Sequence, residues 1–174
     1  MSARANPKLA MRPMLPTDVP FLAEIFRSSI EELTSEDYSE AQREAWVATA
    51  DDEEAFGRKL AGELTLVATF DGAAVGFAAL ADNRHIDMLY VHPAAAGQGA
   101  GAMLVDALEK LAAARGTKQL SVDASDNARS FFEKRGFKAQ QRNTIALGDE
   151  WLANTTMSKT LAAAPGGKRD GGGS

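Results

Sequence analysis

Three glycines at alternate positions, Gly97, Gly99 and Gly101, sit in the segment MLYVHPAAAGQGAGAMLV (Met88 to Val105) between an apolar run and an apolar amphipathic stretch. The first turn of a helix leaves backbone N–H groups without partners, and the helix dipole adds partial positive charge there. A phosphate group suits that position. Glycine permits φ > 0 and lets oxygen atoms approach a backbone that carries no Cβ. On spacing alone, a pyrophosphate cradle and a tight strand-to-helix connection with no ligand stand nearly level. Two other phosphate loops do not fit. No Lys-Ser/Thr pair follows, as a Walker loop requires, and the G-x-G-x-G spacing departs from the dinucleotide fingerprint G-x-G-x-x-G.

Further chemistry is offered just upstream. His85 and Asp87 fall on one face of the strand if that strand is regular. Either could take a proton or order a water; equally, His85 could be a polar strand-entry residue and Asp87 a solvent-facing carboxylate. Asp123, at the end of the next strand, is an outside candidate, and His92 reads as a cap before Pro93. The chain has no cysteine, which excludes disulfides, thiolate metal sites and a thiol nucleophile. Two histidines make a histidine-rich metal centre a poor reading, so no metal is expected. A net charge of −5 gives no global attraction to nucleic acid or anionic lipid. No apolar run approaches the ~20 residues of a membrane span, and Met1 to Lys8 lacks a secretory h-region. The expected location is the cytoplasm, without a membrane or nucleic-acid partner.

The elements that must hold these residues can be read in outline. Lys8 to Pro13 is a first strand. Thr17 is placed to cap an amphipathic helix bearing Leu22, Ile25, Phe26 and Ile30. Ser39 and Gln42 have capping-box spacing ahead of a second helix, and Asp52 to Ala61 forms a short third. Leu64 to Phe70 and Ala74 to Leu80 read as strands joined at Asp71-Gly72, a hairpin signal. Ile86 to Val91 precedes the glycine-rich turn. The following helix shows Met103, Leu104, Ala107, Leu108 and Leu111 on one face and ends at Gly116. Gln119 to Val122 is a strand, Asn127 to Arg135 a short helix, and Phe137 to Leu147 with Trp151 to Leu161 a final hairpin. The order β-α-α-α-β-β-β-α-β-α-β-β predicts an α/β layered domain with a mixed sheet. One domain is expected over residues 1–162, and a disordered glycine-rich tail over 163–174.

The run Leu89-Tyr90-Val91-His92-Pro93, followed by Gly97-Gln98-Gly99-Ala100-Gly101 and an apolar helix, resembles the central motif of the GCN5-related N-acetyltransferase (GNAT) family, [RQ]-x-x-G-x-[GA]. A second stretch, Asn127 to Phe137 (NARSFFEKRGF), resembles the family's N-x-x-A-x-x-(F/L)-Y-E-K-x-G-F helix. Together they cover roughly Ile86 to Phe137. The pattern Asp37-Tyr38-Ser39-Glu40-Ala41-Gln42 followed by Trp46 is similar to one bacterial subgroup, the YafP-like acetyltransferases.

The resemblance implies a mixed, mostly antiparallel twisted sheet flanked by helices, and acetyl-CoA as cofactor, with CoA as product. It assigns Ala96, Gly97, Gln98, Gly99, Ala100, Gly101 and Ala102 to the pyrophosphate loop, and Leu89, Tyr90 and Val91 to the strand beside the pantetheine arm. Asn127 is placed near the same arm, and Glu31, Tyr38 and Trp46 in the acceptor pocket. The N–H of Val91 or Leu89 is the implied oxyanion donor, and His85 and Asp87 remain the candidate catalytic groups. Two positions depart from the family. Ala96 stands where Arg or Gln is usual, which removes a side-chain contribution but not the backbone cradle. Phe132 stands where many members carry a Tyr that protonates the departing thiolate, and a phenyl ring cannot do so. The implied activity is acetyl transfer to a small-molecule or peptide primary amine by direct attack in a ternary complex. The alternatives are a non-catalytic CoA-binding sensor or scaffold, and a purely structural domain. Dimers are common among proteins of this kind, so a homodimer is expected as one possible state.

Overall fold

The computed structural model describes residues 8–162; the first seven residues and the glycine-rich tail over 163–174 lie outside them. The chain order is β1 (Leu9–Pro13), α1 (Val19–Leu33), α2 (Glu40–Val47), α3 (Glu53–Ala61), β2 (Leu64–Phe70), β3 (Ala73–Ala81), β4 (His85–Val91), α4 (Ala100–Ala114), β5 (Gln119–Ser125), α5 (Arg129–Lys134), β6 (Lys138–Leu147) and β7 (Glu150–Thr160). The order matches the sequence-based expectation element for element, as does the mixed α/β class. The strands form one seven-stranded sheet in the order β1-β2-β3-β4-β5-β7-β6. Every neighbouring pair is antiparallel except β4 and β5.

Local chemistry explains most boundaries. Asp71 and Gly72 both have positive φ, +49° and +91°, as the two-residue turn between β2 and β3 requires. The capping box of α2 is formed in both directions: Gln42 N–H donates to Ser39 Oγ at 3.1 Å, and Ser39 N–H donates to Gln42 Oε1 at 2.8 Å. Asp52 caps α3 by accepting from Ala55 N–H at 3.1 Å. Thr17 does not cap α1. It lies inside a 3-10 turn, Pro16–Asp18, and α1 starts at Val19. The carboxylate of Asp18 is what organises this entry, accepting from Leu15 N–H at 2.7 Å and from both Nη atoms of Arg12 on β1 at 2.7 and 2.9 Å.

The sheet is covered on both faces, and each face has its own core. On one, Leu22, Phe26 and Ile30 of α1 pack with Phe56 and Leu60 of α3 onto Val67 and Phe77. On the other, Leu104 and Leu108 of α4 and Phe132 of α5 pack onto Leu80, Ile86, Leu120 and Met157. Alternation along the strands does the sorting: Val67 faces α1, while its neighbours Leu66 and Ala68 face α4. Among the described residues no helix is long and apolar enough to cross a membrane. No group of three or more His, Asp or Glu is gathered as a metal would need among those residues.

The Arg12–Asp18 clamp gives a stability prediction. Asp18 is buried, and hydrogen bonding from Arg12 holds its carboxyl below the usual carboxylate range. A carboxyl with a depressed folded-state pKa contributes stability above its unfolded pKa and loses it as pH falls through the folded one. Asp18→Ala should therefore cost about 2 kcal/mol at pH 7, the scale of charge-assisted hydrogen bonds. The difference from wild type should shrink in acid, as measured by denaturant titration at several pH values.

Candidate functional site

The two central strands part company almost at once. β4 and β5 pair only at His85–Ser121 and Ile86–Val122, whereas β4 pairs with β3 along its whole length. On the β3 side, Ile86 lies opposite Leu80 and Met88 opposite Ala79, so Asp87 is an extra, unpaired residue: a β-bulge. The bulge changes which way side chains point. Ile86, Leu89 and Val91 face α4, while Met88 and Tyr90 face α1. His92 N–H donates to Val75 O at 2.8 Å. Alternation back along β4 then turns the backbone of Tyr90 toward β3 and that of Leu89 and Val91 toward the space β5 has left. A cavity of about 60 Å³ fills this gap, lined by Leu89, Ala124 and Phe132 from the α4 face and by Trp46, Asp87 and Tyr90 from the α1 face. The opening runs through the sheet.

At the far end of β4 lies the glycine-rich turn. His92 Nδ1 accepts from Ala94 N–H at 3.1 Å, capping a 3-10 turn over Pro93–Ala95. Gly97 and Gly99 then take φ of +79° and +95°, and Gly99 is the N-cap of α4. Side chains at these two positions would be strained by the backbone alone. Gly101 is different. It lies within α4, where an added Cβ would meet the Phe131 ring at 3.5 Å in ordinary contact. The α4 ladder opens with Met103 N–H to Gly99 O at 3.0 Å, and among the described residues no amide from 97 to 102 donates to a protein acceptor. Ala96, Gly97, Gln98 and Gly99 are exposed, Ala102 is half-buried, and the Ala100 methyl is buried in the α4 core.

Beside the turn, α5 begins at Arg129 with Ala128 as its N-cap, later than expected. Asn127 is exposed and caps nothing; its Oδ1 accepts from Ser125 Oγ at 2.7 Å. Phe132 is buried, with its ring 5.2 Å from those of Phe131 and Phe137.

On the α1 face the opening leads into a cleft of about 230 Å³. Tyr38 closes one side of it: its hydroxyl donates to Ala153 O at 2.6 Å and accepts from Asp126 N–H at 2.9 Å. The Trp46 ring stands edge-on to Tyr38 at 5.4 Å and to Tyr90 at 6.4 Å. Tyr90, assigned with the cofactor strand from sequence, turns its ring to this face and packs 4.8 Å from Phe26. Burial pushes its phenol well above the ordinary value. Glu31 does not reach the cleft. It borders a separate groove with Arg43, Glu44 and Asp51, and its backbone carbonyl accepts from Arg43 Nη1 at 3.1 Å. The amphipathic helix that carries it points its apolar stripe, not Glu31, at the sheet.

His85 and Asp87 both line the cleft, because the bulge at Asp87 leaves their alternation about Ile86 intact and reverses it only from Met88 onward. His85 Nδ1 lies 2.7 Å from Ser121 Oγ, and Nε2 lies 3.8 Å from Asp123 Oδ2. Asp123 in turn accepts from Thr156 Oγ1 at 2.6 Å. Asp87 has neighbours that sequence reading missed. Lys59 Nζ sits 2.9 Å from Asp87 Oδ2, in ion-pair range but not aligned for a hydrogen bond, and 3.5 Å from Glu63 Oε2. Glu63 Oε1 and Asp87 Oδ2 are buried without a hydrogen-bond partner. Burial first, and then the Asp87 carboxylate, push the Glu63 carboxyl up, against the pull of Lys59. In sequence, Lys59 and Glu63 look like an ordinary i,i+4 surface pair; only the bulge brings Asp87 to them.

Known proteins resemble this chain in sequence and in fold. A family model described as an acetyltransferase (GNAT) domain matches residues 34–161. The uncharacterized N-acetyltransferase YafP of Escherichia coli (strain K12) is 31% identical over 149 residues, spanning 86% of this chain and 94% of that protein. A crystal structure of a GCN5-related N-acetyltransferase from Rhodopseudomonas palustris superposes with a TM-score of 0.87 at 56% identity, covering 92% of this chain and 99% of its own. PaiA N-acetyltransferase from Thermoplasma acidophilum, solved in complex with coenzyme A, shares the fold with a TM-score of 0.74 at 22% identity, covering 88% of this chain and 99% of its own. With the parted strands, the bulged β4 and the amide-rich turn all in one chain that aligns with such relatives nearly end to end, this protein belongs to the GCN5-related N-acetyltransferase family and is an acyltransferase.

Proposed function

We propose that the protein moves the acetyl group of acetyl-CoA to the nitrogen of a primary amine by direct attack within a ternary complex. The observation that carries this reading is the gap between β4 and β5, lined from Ala128 and Phe132 on the α4 face to Asp87 and Asp123 on the α1 face, beside a strand that ends in the turn with its free amides. The CoA-bound PaiA relative supports the choice of cofactor.

The residues fit such a cofactor. Amides over residues 97–102 lack acceptors and sit at the positive end of α4, as a pyrophosphate requires. The backbone of Leu89 and Val91 faces the gap, where an extended amide-bearing arm would find strand-like partners, and Phe132 supplies an apolar floor. Asn127 lies at the exposed rim. Acetyl-CoA supplies an acetyl thioester, and everything else falls to the protein. An alkyl ammonium with pKa ~10.4 must lose a proton at a cost of ~4.6 kcal/mol at pH 7. Asp87 takes that proton, directly or through a water, because it lines both the cleft and the passage. His85, held by Ser121 at the cleft, is the second group in the relay to solvent. The N–H of Leu89 or Val91 donates to the carbonyl oxygen as charge develops. The N–C bond forms, the C–S bond breaks, and the thiolate is protonated by solvent, since Phe132 has no proton to give. Tyr38 and Trp46 wall the acceptor side.

Acetyl-CoA at a hundred times its Kd should stabilise the wild type by ~2.7 kcal/mol. Gly99→Glu, which puts negative charge and a strained side chain at the α4 N-terminus, should abolish that thermal shift; an equal shift in the variant would move the cofactor elsewhere.

Asp87→Asn should lower kcat/KM for the amine by ~10²–10⁴-fold with the acetyl-CoA Kd unchanged, measured by release of free CoA thiol. Unchanged turnover across the pH range would remove Asp87 from the proton path.

A group whose folded pKa is raised, such as Glu63, contributes stability below its unfolded pKa and loses it as pH rises through the folded one. Glu63→Gln, neutral throughout, should therefore melt close to wild type near pH ~4 and above it near pH ~8, in scanning calorimetry.

A further inference from the structure

We propose that Glu63 is a positioning residue for the transfer, sharing one proton with Asp87 so that a single charged carboxylate, held by Lys59, faces the cleft. The proposal rests on the transfer reading above and adds what sets the base in place.

Three groups from separate segments meet behind the bulge. Lys59 stands in the last turn of α3, Glu63 in the turn between α3 and β2, and Asp87 on β4. Lys59 Nζ lies 2.9 Å from Asp87 Oδ2 and 3.5 Å from Glu63 Oε2, so one ammonium faces two carboxyls. Each carboxyl also has a buried oxygen with no hydrogen-bond partner, Glu63 Oε1 and Asp87 Oδ2. Two bare carboxylates here would forfeit hydration and repel one another. A proton on Glu63 Oε1, donated to Asp87 Oδ2, satisfies both orphaned atoms at once. It leaves one negative charge opposite one positive. Hydrogen bonding between the two carboxyls is among the causes that push the Glu63 carboxyl up.

The proton belongs on Glu63 rather than on Asp87. Glu63 is the more buried of the two, 13% exposed against 25%, and the farther from the ammonium. The other polar groups around Asp87 are engaged elsewhere. His85 faces Ser121 and Asp123, and the Tyr38 hydroxyl donates to Ala153 O. Hydrogen bonding with Trp46 engages the Tyr90 phenol, and α1 meets β4 with apolar and aromatic side chains such as Phe26.

Asp87 Oδ2 is buried, so the exposure that the side chain keeps lies on its other side, toward the cleft and the gap that it lines. A bulged residue has no partner in the ladder to fix it; the ion pair and the shared proton do so from behind. Asp87 Oδ1 then takes the proton of the acceptor ammonium, and the Glu63 proton stays where it is.

Infrared spectroscopy reads that proton without turnover. Near pH ~6, above the ordinary carboxyl range of ~4, the wild type should keep a protonated-carboxyl band that Glu63→Gln lacks and Asp87→Asn weakens. Turnover reads the role, as CoA release with the fastest of ethylamine, phenethylamine and spermidine. Glu63→Met should lower kcat/KM by ~10–100-fold, the scale of one hydrogen bond to a charged group. Glu63→Gln, whose amide donates to the same oxygen, should restore it to within ~threefold of wild type near pH ~6. A carboxyl with a raised folded pKa gives up its proton as pH rises through that value, and an amide does not. The ratio of wild type to Glu63→Gln in kcat/KM should therefore fall between pH ~6 and ~9. A purely structural Glu63 would leave the two variants equal in turnover wherever both are folded. If Glu63→Met does not fold, the band and the pH dependence of the ratio decide. Absence of the band, equal turnover in the two variants, or a ratio constant with pH overturns the proposal. A band present with no CoA release from any of the three amines upholds the shared proton and defeats the transfer reading.

Discussion

A β-sheet is stable because each interior strand satisfies its backbone groups on both sides, and here that rule is suspended at the centre of the sheet. β4 keeps β3 along its length but releases β5 after Ile86. An unsatisfied buried backbone group costs roughly 1–3 kcal/mol, so such a break survives only if something else holds the two halves. The core beneath α4 does this. It runs without interruption from Leu66 and Leu80 on one side of the gap to Leu120, Val122 and Met157 on the other. α4 is thus both the splint across the broken ladder and, at its N-terminus, the source of the unpaired amides at the turn. The two roles require each other: the break is tolerable where the helix lies, and the helix begins where β4 ends.

The two faces of the sheet have opposite electrical character at the gap. Toward α4 there are N–H groups at a helix N-terminus. Toward α1 there are the carboxylates of Asp87 and Asp123, with Glu63 behind the first. Beyond Asp123 the uncovered surface of the sheet is polar. Asn143 Nδ2 donates to Thr156 Oγ1 at 2.7 Å and to Asn154 Oδ1 at 2.9 Å, and the Thr156 hydroxyl donates in turn to Asp123. This ladder fixes Asp123 from the side away from the cleft, as the bulge fixes Asp87. Both carboxylates are held by strands rather than loops.

Features determined by a few adjacent residues were legible in the sequence. Ser39 and Gln42 announced α2, Asp71-Gly72 the first hairpin, and the amphipathic stripes α1 and α4. Family motifs carried the reading from a glycine-rich turn to an acetyltransferase, which spacing alone did not do. What failed was anything set by contacts distant in sequence. Thr17 looked like a helix cap, but Arg12 on β1 captures Asp18 and shifts the helix start. Asn127 looked like a helix start, but α5 begins at Arg129. The Asp87 bulge left no mark in a run of apolar and polar residues, so the direction of the Tyr90 ring was not legible and Lys59 and Glu63 went unnoticed. Glu31 was misplaced for a simpler reason: a family's acceptor segment locates a region, not a rotamer.

The Tyr38 hydroxyl joins residues 115 and 88 positions away, Ala153 and Asp126. Contacts of that span form late, after local pairings have shortened the chain between them. During synthesis, which adds ~5–20 residues per second, the turn at 97–102 and α4 are made before Ala153 exists. Until β7 emerges, the cleft lacks the wall that Leu152, Ala153 and Asn154 supply, and the core beneath α4 lacks Met157. One strand, the last to emerge, thus completes both faces of the sheet, and neither the cleft nor the core under α4 is whole before it pairs with β5.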